Sequence, residues 1–363
     1  MNVEKRPRQS LLTALRRSCF YSVPAGIVTV FLGAVLLGVF AFLFNWGVLE
    51  AVWQPDPEAC RQASGACWGF VAEKWRLILF GRYPYELQWR PTLATVLVMG
   101  MLVVTAVPRF WHGFAGRFIL FLWVLAIGAF FALMQGGVFG LSRIDSDMWG
   151  GLPLTVVLTL VGMTASIPLG IVLALGRRST MPVIRTLSTG YIEIVRGVPL
   201  ITVLFVAAFI FPLFFPEGVR VEPFWRVAIA ITLFQAAYIA ETVRGGLQTI
   251  PRGQFLAARS LGLTPLHMYT RVILPQALVA VIPAFVNSLL SCFMDTSLVT
   301  VVSMFDLTGS LGLALGDALW RNYFIEGYAF IVAIYFTLSF IVSRYSQWLE
   351  RYITGNRSRI NNR

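Results

Sequence analysis

Apolar residues gather into eight long stretches: 26–44, 91–107, 118–138, 149–176, 198–215, 224–240, 272–294 and 322–342. Short polar connections separate most of them. Each is close to the roughly 20 residues a helix needs to cross a bilayer. The first stretch carries no charge at all. The fourth holds Pro153 and Pro168, which predicts a kink or a partly interfacial start. Residues 296–316 are apolar enough to suggest a ninth crossing, but contain Asp306, Gly309, Gly312 and Gly316. That segment reads as a helix lying in, or re-entering, the outer interface, where irregular backbone must be covered by protein.

The polar connections set the orientation. With the N-terminus inside, 20 of the 29 Lys and Arg fall on the cytoplasmic side, against 4 of the 17 acids. The reverse arrangement opposes the positive-inside tendency, so both termini are expected in the cytoplasm. Crossing 296–316 as a ninth span would carry the basic tail outside.

Composition agrees with the pattern. Apolar residues make up 57% of the 363 and charged residues 13%, against about 25% charged in soluble domains. The net charge of +12 is not a nucleic-acid signature, because the basic residues sit in short clusters between apolar runs. The basic head at 5–17 precedes an apolar run too long for a cleavable signal.

Two His (His112, His267) and four Cys (Cys19, Cys60, Cys67, Cys292) show no metal-ligand spacing. Cys60 and Cys67 share the large hydrophilic loop 45–90. They can pair if that loop lies outside the cytoplasm, and are two thiols otherwise. The loop's Trp46, Trp53, Trp68, Trp75 and Trp89 suit a membrane-interface belt. The expected organisation is an N-terminal part at 1–148 with three spans, a five-span core at 149–346 and a basic tail at 347–363.

The polar island after the sixth stretch is the most informative segment. Glu241-Thr-Val-Arg244-Gly245-Gly246 leads to Pro251-Arg252-Gly253. The Gly and Pro residues are expected to break the span and turn the chain along the membrane. Residues 254–261 suit about two helical turns. Gly262 suits the left-handed residue that ends a helix, and Thr264-Pro265 the cap and first position of the next. Ala257 and Ala258 are small enough for close approach by a partner, and Arg252, Arg259 and Arg271 can pair with its acids.

Gly253-Gln254-Phe255-Leu256-Ala257-Ala258-Arg259-Ser260-Leu261-Gly262, with Ile273-Leu274-Pro275, resembles the EAA loop of bacterial ATP-binding-cassette (ABC) importer permeases. Gly150-Gly151-Leu-Pro-Leu-Thr155, Glu193-Ile-Val-Arg196-Gly197-Val-Pro199-Leu200, Ala240-Glu241-Thr-Val-Arg244 and Asp295-Thr296-Ser297-Leu298-Val299 resemble its polar amino acid branch. The three-span extension resembles the longer permeases for general L-amino acids.

The resemblance implies an all-α inner-membrane protein of about eight transmembrane helices: a five-helix type I importer core behind three extra spans. It implies a coupling helix near 248–265, with Gly253, Leu256, Ala257, Ala258, Arg259, Gly262 and Pro275 gripped by an ATPase. Two departures stand out. Leu256 replaces the family's usual Glu, and Met294 stands where many relatives carry Lys.

No Gly-x-x-x-x-Gly-Lys-Ser/Thr phosphate loop is present, so no ATP cofactor is expected on this chain. ATP and magnesium belong on a partner. The implied partners are two ATPase subunits, a second permease chain (a homologue or another copy) and a periplasmic amino-acid-binding protein. That binding protein would meet the outer surfaces at 216–223 and 306–321. No nucleic acid is expected.

Polar residues inside spans are functional suspects. Gln235 and Tyr238 share one face of the sixth span, with Glu241 beyond them. Asn287, Ser291 and Asp295 step by four along the seventh, with Ser288 beside them. For a zwitterionic amino acid, Asp295 or Glu241 would accept from the ammonium, and Asn287, Ser291 or Gln235 would donate to the carboxylate. The alternative is hydrogen bonding between helices.

Arg196-Gly197-Val198-Pro199 at the inner entrance of the fifth span reads as a gate element or a snorkelling anchor. Glu193 and Arg196, three apart, are placed to pair.

A stand-alone secondary transporter, with ion coupling at Glu241 or Asp295, is the main rival. An inverted repeat of broken helices would favour it, and the sequence shows none. A membrane enzyme would need a nucleophile, base or metal cluster, which is absent from the sequence. An exporter is poorly served by the EAA-like loop.

Overall fold

The computed structural model describes residues 19–111, 113–216 and 221–361. The basic head at 5–17, His112 and residues 217–220 of the expected outer surface lie outside the described residues. The chain forms two compact units, Met1–Glu73 and Lys74–Arg363.

The first unit is built on α1 (Val23–Phe44). Ser22 caps it by accepting from the Ala25 amide, and Pro24 fits its first turn. No residue of α1 is buried by protein, so its apolar surface is left for lipid. After a wider helical turn at Asn45–Leu49 comes a compact loop containing α2 (Pro57–Gln62), capped by Asp56. Cys60 and Cys67 are joined as a disulfide, Cα to Cα 5.5 Å. The Glu50 carboxylate accepts from Ser64 and Asn45, each at 2.7 Å, which holds its pKa below the usual carboxylate value. The Trp68 indole donates to the Gly47 carbonyl at 2.8 Å and stacks on Trp53.

The boundary between the units falls within α3 (Trp68–Phe80). The second and third spans, α4 (Trp89–Ala106) and α5 (Gly113–Gln135), therefore belong to the same compact unit as the helices that follow. They pack together, and Trp123 donates to Thr105 across their contact at 2.9 Å. Phe131 of α5 stacks on Trp225, inside a cluster with Trp149 and Phe224.

The centre of this unit is the pair α6 (Gly151–Arg177) and α9 (Pro223–Thr249). Gly162 and Gly170, two turns apart on α6, face Ile231 and Ile239. A Cβ on Gly162 would stand 2.7 Å from Ile231 Cγ2, and one on Gly170 3.0 Å from the Ala236 carbonyl. Small residues let the two backbones approach, as membrane helix pairs require.

Between them lie α7 (Pro182–Gly197) and α8 (Leu200–Phe205), whose path continues to Phe214 and bends by 104° at Val198-Pro199. Then come α10 (Arg252–Ser260), α11 (Pro265–His267), a π-helical turn at Met268–Ile273, α12 (Leu274–Ala280) and α13 (Ile282–Asp295). The unit ends with α14 (Leu307–Leu315) and α15 (Phe324–Asn361).

Among the described residues, seven helices are long and apolar enough to cross a membrane, and the bent pair taken as one span makes eight, the number the hydrophobic pattern predicts.

Three expectations are corrected. The sixth span does not break at Gly245-Gly246: α9 continues to Thr249 and the chain turns at Pro251. Gly246 is there for packing, since a Cβ would stand 2.7 Å from the Ala277 carbonyl. The seventh stretch is interrupted at Val281, between α12 and α13. Residues 296–316 are not one helix. They form a 3-10 helix Thr296–Val302, a left-handed Ser303, an extended pair Phe305–Asp306 and then α14. Nine residues of α-helix reach about 14 Å, half of a hydrocarbon core.

Candidate functional site: a polar cavity and an exposed basic helix

A cavity of about 680 Å³ opens where the bend after α7 meets α9 and α13. The volume falls in the range of about 300–1,000 Å³ usual for small-molecule sites. Val198, Pro199, Leu200, Phe234 and Leu298 supply apolar wall. Arg196, Gln235, Tyr238, Asn287, Ser288, Ser291 and Asp295 supply the polar groups. Their convergence follows from helical spacing: Gln235 and Tyr238 share one face of α9, and Asn287, Ser291 and Asp295 one face of α13.

Five of the six suspected path residues thus line one cavity, together with Arg196, Gly197 and Pro199 of the suspected gate. The Gln235 side chain is 3% exposed, yet its amide makes no hydrogen bond within the described chain. Its remaining opening is toward the cavity. Asp295 likewise has no ion-pair partner among the described residues, and Met294 beside it is exposed.

Glu241 is the exception, since it does not line the cavity. It sits in an ion cluster below it, bound to Arg244 three residues on, to Arg177 of α6 at 3.2 Å and, more loosely, to Arg196 at 3.9 Å. The expected Glu193–Arg196 pair is not formed. Glu193 bonds Arg177 at 2.8 Å, because the end of α6 lies beside α7 and offers its guanidinium first. Arg177 was not foreseen as a member; no local spacing links it to Glu193 or Glu241. Nor did the sequence indicate Phe234 or Leu298 as wall.

The second feature is α10. Gly262 ends it with φ +70°, a left-handed conformation that costs an L-residue about 1–2 kcal/mol and glycine little. Thr264 caps α11 by accepting from the His267 amide, with Pro265 at the first position. Both match the stop and start signals in the sequence. Leu256, Ala257, Arg259, Gly253 and Pro275 are exposed. Ala258 is not: at 3% exposure it packs against its own chain, because α10 lies against the π-helical turn that follows it. Gln254 and Gln276 link α10 to α12 at 3.3 Å, and Phe255 packs edge-on against Tyr269. Arg252, Arg259 and Arg271 make no ion pair within the described chain.

A third cluster surrounds Asp306, which is fully buried. It accepts from the Gly309 amide (2.8 Å), the Tyr335 hydroxyl (3.0 Å) and the Thr300 hydroxyl (3.3 Å). The Leu307 amide donates to Thr155 of α6 at 3.2 Å, and the Gly151 amide to Ser310 at 3.1 Å. These bonds fix the irregular segment 296–316 onto α6 and α15. They give its backbone the cover that such a segment requires.

Broken spans meeting around a polar cavity, beside a short exposed basic helix, define a polytopic helical permease. Residues 166–355 match the family described as binding-protein-dependent transport system inner membrane component, and the chain belongs to that family. It is a permease subunit of an ABC importer, a multi-pass inner-membrane component. Such subunits are the non-catalytic part of transporters that also include an ATPase and a binding protein.

The chain is 42% identical over 344 residues to the inner membrane amino-acid ABC transporter permease protein YhdY of Escherichia coli (strain K12), covering 94% of this chain and 93% of that one. It is 37% identical to the glutamate/glutamine/aspartate/asparagine transport system permease protein BztC of Rhodobacter capsulatus, over 84% and 81% of the two chains. A solved structure described as an amino acid ABC transporter with histidines superposes with a TM-score of 0.50 at 32% identity, covering 56% of this chain and 92% of that one. Membership in this family does not favour the stand-alone secondary transporter.

Proposed function

We propose that this permease carries polar L-amino acids inward through the cavity between the α7–α8 bend, α9 and α13. The observation that carries the reading is that cavity. A buried glutamine without a hydrogen-bond partner among the described residues, Gln235, converges there with Asn287, Ser291 and the Asp295 carboxylate, in the chain of a permease whose relatives are named for amino acids. Asp295 accepts from the substrate ammonium, and Gln235, Asn287 and Ser291 hydrogen-bond its remaining polar atoms. Residues 149–346 form the translocating core. The bend at Val198-Pro199 and the break at Val281 supply the joints at which helix segments swing between inward- and outward-open states.

Power comes from a partner. Two ATPase subunits, holding ATP and magnesium, grip α10 and its counterpart on a second permease chain. A periplasmic amino-acid-binding protein delivers substrate at the outer end, near residues 306–321. Both termini lie in the cytoplasm. Two features support that orientation: the excess of Lys and Arg on that side, and the Cys60–Cys67 disulfide in the 45–90 loop, a bond that persists in oxidising compartments.

Reconstitution in liposomes tests the reading. Uptake of a polar amino acid is expected only with the ATPase subunit, ATP and the binding protein all present. Uptake by this chain alone would overturn it.

A further inference from the structure

We infer that Arg196 is the specificity residue for the substrate's α-carboxylate, and that it couples substrate occupancy to release of the inner gate. This rests on the amino-acid-transport reading above. Among the residues lining the cavity, Arg196 is the one cation and Asp295 the one anion. A site with one charge of each sign, in walls that are otherwise apolar or neutral, is built for a zwitterion. The neutral donors Gln235, Asn287 and Ser291 cannot by themselves offset a carboxylate removed from water.

Arg196 is also the least committed cation of the cluster below. Arg177 and Arg244 hold Glu241 closely, whereas Arg196 stands 3.9 Å away, at the limit of an ion pair. Its guanidinium lies 5.6 Å from the ring centroid of Tyr238, itself a cavity residue. The cluster contains three Arg (Arg177, Arg196, Arg244) and two Glu (Glu193, Glu241), so one positive charge is left without a full partner.

Arg196 is followed directly by the Gly197–Pro199 bend, where the chain turns by 104°. A carboxylate in the cavity competes with Glu241 for it. When Arg196 turns to the substrate, the bend loses its tie to α9 and the inner end of α8 is free to move. Without substrate, Arg196 returns toward Glu241. The planar guanidinium suits both partners, since each presents a carboxylate fork.

The test uses the whole transporter (this permease, its partner permease, ATPase and binding protein) in liposomes. The probes are L-glutamine, L-glutamate, L-histidine and L-arginine. Uptake and ATP hydrolysis are measured with and without amino acid for Arg196→Gln, Arg196→Lys and Arg177→Gln. Arg177 belongs to the same cluster but does not touch the cavity.

Arg196→Gln is expected to lower uptake by about tenfold or more, and to lower it more than ATP hydrolysis. Arg196→Lys should fall between. Arg177→Gln should not separate the two activities. If Arg196→Gln does not assemble, Arg196→Lys decides: uptake reduced more than hydrolysis supports the inference, and equal reduction overturns it. Uptake within about twofold of the wild type for Arg196→Gln, or the same separation in Arg177→Gln, also overturns it. If the wild type takes up none of the four probes, the amino-acid reading itself falls, and the two failures are thereby distinguished.

Discussion

Replacing Asp306 should expose how the irregular segment before α14 is held. In the native protein its Oδ1 accepts from the Gly309 amide and the Thr300 hydroxyl, and its Oδ2 accepts from Tyr335. Asp306→Ala removes the cap of α14, which costs about 0.5–2 kcal/mol. It also strands the Thr300 hydroxyl and weakens the bonding of Tyr335, for about 1–3 kcal/mol more. The total is about 3 kcal/mol. Asp306→Asn keeps one oxygen for Gly309 and places an amide against Tyr335, whose hydroxyl can turn to Thr308 at 3.3 Å. Its cost should be about 1 kcal/mol or less.

Thermal unfolding of the purified chain in detergent, followed by tryptophan fluorescence, is the assay. At about 2–4 °C per kcal/mol for a chain of a few hundred residues, Asp306→Ala should lose about 6–12 °C and Asp306→Asn under about 4 °C. Burial pushes the Asp306 carboxyl above its ordinary pKa, against the hydrogen bonds it accepts. A raised folded-state pKa contributes stability that is complete below the ordinary value and is lost as the pH rises through the raised one. The wild type should therefore gain on Asp306→Asn as the pH falls from neutral toward that ordinary value. Unfolding of Asp306→Ala within about 2 °C of the wild type, or equal losses for Ala and Asn, would refute the account.

Substitutions at three glycines probe other parts of the molecule. At Gly262, Asn should preserve ATP-driven uptake best, Ala less and Val least, because only Asn readily accepts the left-handed conformation; an uptake that ignores this order would sever α10 geometry from coupling. Gly170→Leu should abolish the native unfolding transition by forcing a side chain into Ile239 and the Ala236 carbonyl, whereas Gly190→Ala, in open space, should leave it unchanged; a folded Gly170→Leu would mean that α6 and α9 do not pack as described.

The eight crossings, α10 with its Gly262 stop and Thr264-Pro265 start, and the polar stripe of α13 are all legible along the chain, because each is a local pattern. Hydrophobic length, helix caps and i, i+4 spacing involve neighbours in sequence, so their physics is complete within a few turns. The tertiary structure decided everything that depends on which helix lies beside which. It set Glu241 among three arginines rather than in the cavity wall, and it moved Glu193 from Arg196, three residues away, to Arg177, sixteen away. Gly246 looks like a break and is a contact instead, because the Ala277 carbonyl from another helix occupies the space a Cβ would fill. Charges and glycines act on whatever packing brings within a few ångströms, and sequence order alone does not record that distance.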